Sequence, residues 1–199
     1  MARTLGSWGV TPNALSVLSL LFAFAAAAAF AWSGPALPWL LLAGSALVLA
    51  NALADGFDGR LARLQKSENA QGDYLDHVID RYADFAILAG IALSGWAIDI
   101  RIGLFAIIGT ALTSYMGTQA QAIGLGRNYR GLLGRADRIT ILAVAPVVEF
   151  IRVTWLPFDV PYLGSVLAVV MLYIAVMGNI TAVQRFIHGW RDLEKRGAP

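Results

Sequence analysis

Apolar residues fall into six long blocks along the chain, at about 13–32, 36–54, 82–98, 102–123, 138–156 and 161–187, with polar residues gathered between them. A helix needs roughly 20 apolar residues to cross the hydrocarbon core of a bilayer, and these blocks are of that order. The pattern predicts an all-α integral membrane protein with six transmembrane helices. The second helix is expected to continue past Asp58 into a polar stretch, and the third to begin near Asp73, ahead of its apolar block. Thr11-Pro12 offers an N-cap followed by proline at the first helical position, so the first helix should start there. Gly34-Pro35 and Pro38 separate the first two helices. The first block follows Arg3 and contains Ala25 to Ala29, but the apolar part of a secretory signal is shorter, roughly 7–15 residues. It is expected to be a span whose alanines allow close helix packing.

Composition agrees: of 199 residues, 58% are hydrophobic and 14% charged, against about 25% charged in an ordinary soluble domain. Cysteine is absent, which excludes a disulfide framework, a thiolate nucleophile and a Cys-ligated metal. No repeat or low-complexity segment breaks the pattern, so residues 1–199 read as a single membrane domain. The formal charge of +2 offers no basic surface for nucleic acid, and none is expected as a partner.

The placement of the charge says more. Six spans put both termini on one side, together with Arg3, Arg60, Arg63, Lys66, Arg127, Arg130, Arg135, Arg138, Arg185, Arg191, Lys195 and Arg196. Only Arg101 and Arg152 fall on the other side, while Arg81 sits within a helix. By the positive-inside rule the protein is expected to be a multi-pass protein of the cytoplasmic membrane, with both termini and a polar cavity facing the cytosol.

Between the second and third blocks lie Asp55, Asp58, Asp76 and Asp80, interleaved with Gly59, Ala62, Arg63 and Gly72. Asp55 and Asp58 are three residues apart and Asp76 and Asp80 four apart, so each pair shares a helix face. Asp73, Asp76, Asp80 and Asp84 together form an acidic stripe, with His77 and Arg81 beside it. Lipid does not tolerate such a stripe; it has to line a hydrated, protein-enclosed space. Two facing helices would offer four hard oxygen donors, which suit Mg²⁺ or Mn²⁺ better than zinc. A purely structural alternative is a salt-bridge network with Arg60, Arg63 and Arg81, although buried ion pairs stabilise weakly and the acids outnumber those arginines. Gly59 and Gly72 leave room for a bulky group against the helices, and Arg63 can present a donor fork to phosphate.

The pattern Asp55-x2-Asp58-Gly59-x2-Ala62-Arg63-x8-Gly72-x3-Asp76-x3-Asp80 resembles the full signature of the CDP-alcohol phosphotransferase family. The resemblance implies six transmembrane helices, a homodimer, and displacement of CMP from a CDP-lipid by the hydroxyl of a small alcohol. It implies that Asp55, Asp58, Asp76 and Asp80 bind two metal ions, Mg²⁺ or alternatively Mn²⁺, and that Asp80 is also the catalytic base. Asp58, Gly59, Ala62, Arg63 and Gly72 would cradle the cytidine diphosphate of CDP-archaeol or CDP-diacylglycerol.

A second patch, near 124–138, carries Arg127, Arg130, Arg135 and Arg138 and no lysine. Guanidinium matches phosphate bidentately, which points to a phosphorylated acceptor. For Arg127 and Arg130, attraction to anionic membrane lipids is an equally good reading. Arg135 and Arg138 share a helix face at the start of the fifth block. Arg81 lies beside the acidic stripe, and Arg185, with Thr181 and Gln184, stands at the cytosolic end of the sixth block; both join the acceptor candidates. Asp80-Arg81-x2-Asp84 and Gly134-Arg135-Ala-Asp-Arg138 are similar to segments of the family's inositol-phosphate branch, making inositol 1-phosphate the expected acceptor, ahead of glycerol phosphate or serine. One departure stands out: Gln119 and Gln121 occupy positions where that branch usually has arginine and glutamate.

Two rival readings fit less well. A polyprenyl transferase would need a second Asn/Asp-rich motif besides Asn51-x3-Asp55. A non-enzymatic cation carrier would have no use for Gly59, Gly72 and Arg63 at ligand-cradling spacing. Elsewhere, Glu149 and Arg152 are expected to pair, Pro146 to disturb the fifth helix, and Trp8, Trp96, Trp155 and Trp190 to lie at membrane interfaces. His188 is expected at headgroup level.

Overall fold

The structure, a computed structural model, describes residues 11–65, 69–126 and 131–197. Among these the regular elements are six helices: α1 Pro12–Trp32, α2 Trp39–Gln65, α3 Ala70–Ala92, α4 Ile100–Ala122, α5 Arg135–Thr154 and α6 Val166–Gly197. Arg3, Trp8, Lys66, Arg127 and Arg130 lie outside the described residues.

The capping chemistry read from Thr11-Pro12 sets the start of α1, where the Thr11 side chain accepts from the Ala14 N–H at 3.2 Å. Helix α2 runs on through Asp58 to Gln65, and α3 begins at Ala70 with Asn69 as its cap, accepting from the Gly72 N–H at 2.7 Å. The apolar block at 82–98 thus splits: its first part completes α3, and the rest leaves the helix after Ala92. Helix α6 has 32 residues, longer than a bilayer requires, and carries its charged end beyond the apolar stretch.

Helices α1, α2, α4 and α6 are long and apolar enough to cross a membrane, which makes this a membrane protein. The other two, α3 and α5, fall outside that group because they carry more charge: Asp73, Asp76, Asp80, Arg81 and Asp84 on α3, and Arg135, Asp137, Arg138, Glu149 and Arg152 on α5.

Helix α1 packs on α2 and α3, α4 packs on α6, and α5 packs on α2 and α6. The core draws Phe30, Leu41, Val48, Leu88, Ile91, Leu142, Leu167 and Ile174 from five of the six helices. Two crossings depend on glycine. A Cβ on Gly90 would collide with the Ala27 backbone of α1, and one on Gly109 would lie 2.7 Å from the Asn179 nitrogen of α6. Small residues at such points let membrane helices approach closely. Polar side chains inside the bundle are used as stitches: Asn51 Nδ2 donates to the Ser19 carbonyl at 2.9 Å, Thr113 Oγ1 to the Gly178 carbonyl at 2.9 Å, and Ser45 Oγ to the Ala143 carbonyl.

Glu149 and Arg152 pair as expected, at 2.6 Å, but Glu149 does more: its other oxygen accepts from the Val166 N–H at 2.6 Å and so caps α6. Pro146 lies inside α5. Trp155 and Trp190 are exposed, whereas Trp96 is buried in the core and is no interfacial anchor, its carbonyl accepting from Ser165 Oγ at 2.6 Å. The His188 ring nitrogen Nδ1 meets the Gln184 carbonyl at 2.6 Å.

Candidate active site

The C-terminal half of α2 and the N-terminal half of α3 supply the acidic residues. Asp55, Asp76 and Asp80 each aim a carboxylate oxygen at a common point, and these three atoms lie within 4.8 Å of one another. Three carboxylates this close repel strongly in a partly buried setting, which favours a divalent cation among them. The donor set is all hard oxygen and contains no nitrogen or sulfur, so it fits Mg²⁺ or Mn²⁺. Asp58 stands apart from this trio. It is buried, with Oδ2 accepting from Ser16 Oγ at 2.6 Å and Oδ1 from the Gly59 N–H at 2.5 Å. A carboxylate has about four lone-pair sites, so these two bonds leave it capacity for a further partner.

Beside the trio opens a cavity of about 640 Å³, within the range of small-ligand sites. Asp58, Gly59, Ala62 and Arg63 of α2 form one wall, Gly72, Asp73 and Asp76 of α3 another, and Thr11, Asn13 and Ser16 close it from the start of α1. Asp76 belongs to both cavity and trio, so a group bound in the cavity would meet the carboxylate cluster at one end. Gly59 faces open space: a Cβ there would come no closer than 3.9 Å to any neighbour, the Arg63 guanidinium.

The far side of the stripe is lined by arginines. Arg135, the first residue of α5, places Nη1 3.0 Å from Asp55 Oδ2 and Nη2 2.5 Å from Asp80 Oδ1. Arg138, one turn on, is buried and meets Asp84 at 2.6 Å. Arg81 lies 3.5 Å from Asp80 and 3.6 Å from Asp84, and donates to Ser114 Oγ on α4. Arg185 donates to the Thr113 carbonyl at 2.8 Å. An ion-pair network therefore exists, but its arginines are 81, 135 and 138; Arg63 lines the cavity instead and Arg60 is exposed.

Of the acceptor candidates, Arg81, Arg135 and Arg138 gather around the stripe, Arg185 reaches α4, and Arg130 is outside the described residues. Thr181, read as part of the α6 end, is fully buried, and its hydroxyl accepts from the Leu133 N–H at 3.1 Å, fixing the chain two residues before Arg135. Sequence reading missed Asn13 and Ser16 as cavity residues. Their signal was present: Asn13, Ser16 and Ser19 recur at three-residue spacing within an otherwise apolar first helix, which marks a face turned toward protein.

The fold thus combines membrane-length helices with a carboxylate cluster that shares Asp76 with the neighbouring cavity. The sequence profile of CDP-alcohol phosphatidyltransferase matches residues 9–181, and the chain belongs to that family of transferases of substituted phosphate groups. Archaetidylinositol phosphate synthase of Pyrococcus horikoshii is 28% identical over 194 residues, covering 98% of this chain and 91% of that protein. Phosphatidylinositol phosphate synthase of Mycobacterium tuberculosis has been solved in complex with manganese and citrate; the two structures agree with a TM-score of 0.75 at 26% identity, over 95% of this chain and 87% of that one. The same enzyme with CDP-DAG bound gives 0.74 at 28% identity, covering 95% and 91%.

Proposed function

We propose that the enzyme transfers a phosphatidyl or archaetidyl group from a CDP-lipid to the hydroxyl of inositol 1-phosphate, releasing CMP. The observation that carries this reading is the junction of the Asp55–Asp76–Asp80 cluster with the cavity walled by Gly59, Ala62, Arg63 and Gly72. The cytidine diphosphate fits there with its diphosphate toward the cluster, Gly59 and Ala62 giving it room and Arg63 a donor fork. Relatives named for inositol-phosphate lipids on both archaeal and bacterial backbones support the acceptor class and leave CDP-archaeol and CDP-diacylglycerol as the two donors to compare.

Asp55, Asp58, Asp76 and Asp80 would hold two Mg²⁺ ions, which when bound stabilise the charge developing on the departing CMP. Asp80 accepts the proton of the acceptor hydroxyl as that oxygen bonds to the lipid-bearing phosphorus and the bond to CMP breaks. Arg81, Arg135 and Arg185 would bind the acceptor phosphate, with Arg130 as a further candidate, and Arg138 anchors Arg135 through its pair with Asp84. The enzyme works as a homodimeric single membrane domain of residues 1–199 in the cytoplasmic membrane. Six spans, both termini in the cytosol and a cytosol-facing cavity are supported by the basic-residue distribution and by the lengths of α3 and α5, 23 and 20 residues, which are of spanning order.

The test is CMP release by the purified protein from CDP-archaeol and CDP-diacylglycerol, against inositol 1-phosphate, glycerol 3-phosphate, serine and free inositol. Release with inositol 1-phosphate alone is expected. Equal release with glycerol 3-phosphate would reassign the acceptor, and cation flux with no CMP release would replace the reaction by transport.

A further inference from the structure

Two of the three clustered carboxylates are gripped by the same guanidinium. Arg135 lays its fork across Asp55, with Nη1 at 3.0 Å from Oδ2 and Nη2 at 3.3 Å from Oδ1, and Nη2 also touches Asp80 Oδ1 at 2.5 Å. A divalent cation coordinates carboxylate oxygen at about 2.0–2.6 Å and would approach the same oxygens. It would also stand within a few ångströms of a fixed positive charge, where repulsion is only partly screened. Cation and guanidinium therefore each weaken the other's hold on Asp55 and Asp80.

The neighbouring arginines are placed differently. Arg138 is committed to Asp84, which is outside the carboxylate trio, and Arg81 divides itself between Asp84, Asp80 and Ser114. Arg135 also has more room to leave than Arg138. Its side chain is 26% exposed against 3% for Arg138, and it stands at the first position of α5.

We infer that Arg135 and the divalent cation compete for Asp55 and Asp80, so that cation binding releases the Arg135 fork toward a dianionic acceptor and couples the two ligands positively. The inference rests on the metal and acceptor roles proposed above and adds an order to them. The cation prepares the acceptor site by displacing a guanidinium from the carboxylates. Reciprocity then requires a dianion captured by Arg135 to tighten cation binding by the same factor.

The test is Mn²⁺ binding to the purified full-length protein without CDP-lipid, by isothermal titration, with and without sulfate as a soluble tetrahedral dianion. Arg135→Gln is expected to bind Mn²⁺ about tenfold more tightly than wild type, within the ~5–150-fold span of such couplings. Sulfate should tighten Mn²⁺ binding several-fold in wild type and leave Arg135→Gln unchanged. Arg135→Lys keeps the charge without the bidentate fork, is expected to fall between the two, and carries the test should Arg135→Gln fail to fold. Equal or weaker Mn²⁺ affinity in both variants overturns the competition while the metal site stands. An equal sulfate effect in all three proteins overturns the coupling. No Mn²⁺ binding by wild type or either variant overturns the metal assignment and this inference together.

Discussion

Arg138 and Asp84 form a 2.6 Å ion pair in which both side chains are almost fully enclosed, at 3% and 4% exposure. Taking two charges out of water is costly, and their attraction offsets that cost only while both are present. The pair joins α5 to the deep end of the acidic stripe on α3, so it also sets where Arg135 stands one turn away.

Removing one partner is therefore expected to be far worse than removing both. Asp84→Ala or Arg138→Ala alone should cost about 3–5 kcal/mol by stranding a buried charge. Asp84→Leu combined with Arg138→Met should recover most of that loss, because an apolar pair of similar volume has no desolvation cost. Thermal unfolding in detergent of the two single variants and the double variant measures the difference. A double variant as unstable as the sum of the singles would show that the pair acts independently of burial.

The reaction chemistry is tested most directly at Asp80. Asp80→Asn removes the proton acceptor while keeping the shape of the side chain, and general-base loss typically lowers rates by about 10²–10⁴-fold. CMP release should fall by that order while CDP-lipid binding, which engages the cavity walls, is largely kept. Asp55→Asn and Asp76→Asn, like Asp80→Asn, should also raise the Mg²⁺ requirement, measured as the Mg²⁺ concentration at half-maximal rate, but without removing the proton acceptor. Wild-type Mg²⁺ dependence in both would detach the trio from metal binding.

The acidic stripe was legible because its spacing and its apolar flanks are local properties of one stretch of chain. Asp55 through Asp80 lie within two helices whose period places them, and the structure brings three of the four carboxylates to one point. Most of the arginines that answer the stripe were not legible in the same way. Arg81, inside the stripe, was legible and pairs with Asp80 and Asp84, but Arg60 and Arg63 do not join it. The other ion pairs are made by Arg135 and Arg138, some fifty residues downstream, because α5 packs back against α2. The same limit applied to Glu149. Its pairing with Arg152 follows from i, i+3 spacing, while its bond to Val166 depends on where α6 happens to begin.

Glu149 gives a stability test far from the chemistry. It is wholly buried and serves both the Arg152 guanidinium and the Val166 N–H. Glu149→Ala should destabilise by about 3–5 kcal/mol, as expected when a buried pair loses one member. Glu149→Gln keeps the acceptor for Val166 and should cost visibly less. Both should retain wild-type KM for CDP-lipid in the folded fraction, since neither touches the cavity, and the readout is Tm in detergent alongside the KM.

Gly59 separates a ligand-cradling role from a packing role. A glycine needed for helix packing has neighbours that a methyl group would strike, as Gly90 has with Ala27. Gly59 has none closer than 3.9 Å and faces the cavity. Gly59→Ala is therefore expected to stabilise the folded protein by up to about 1 kcal/mol through helix propensity. The added methyl intrudes on the space proposed for the diphosphate, so the KM for CDP-lipid should rise at least several-fold while the acceptor KM stays near wild type. Gly59→Leu should extend the trend, with donor binding lost and Tm preserved. A variant with unchanged donor KM and lowered Tm would mean that Gly59 serves the fold, and that the cytidine diphosphate lies elsewhere.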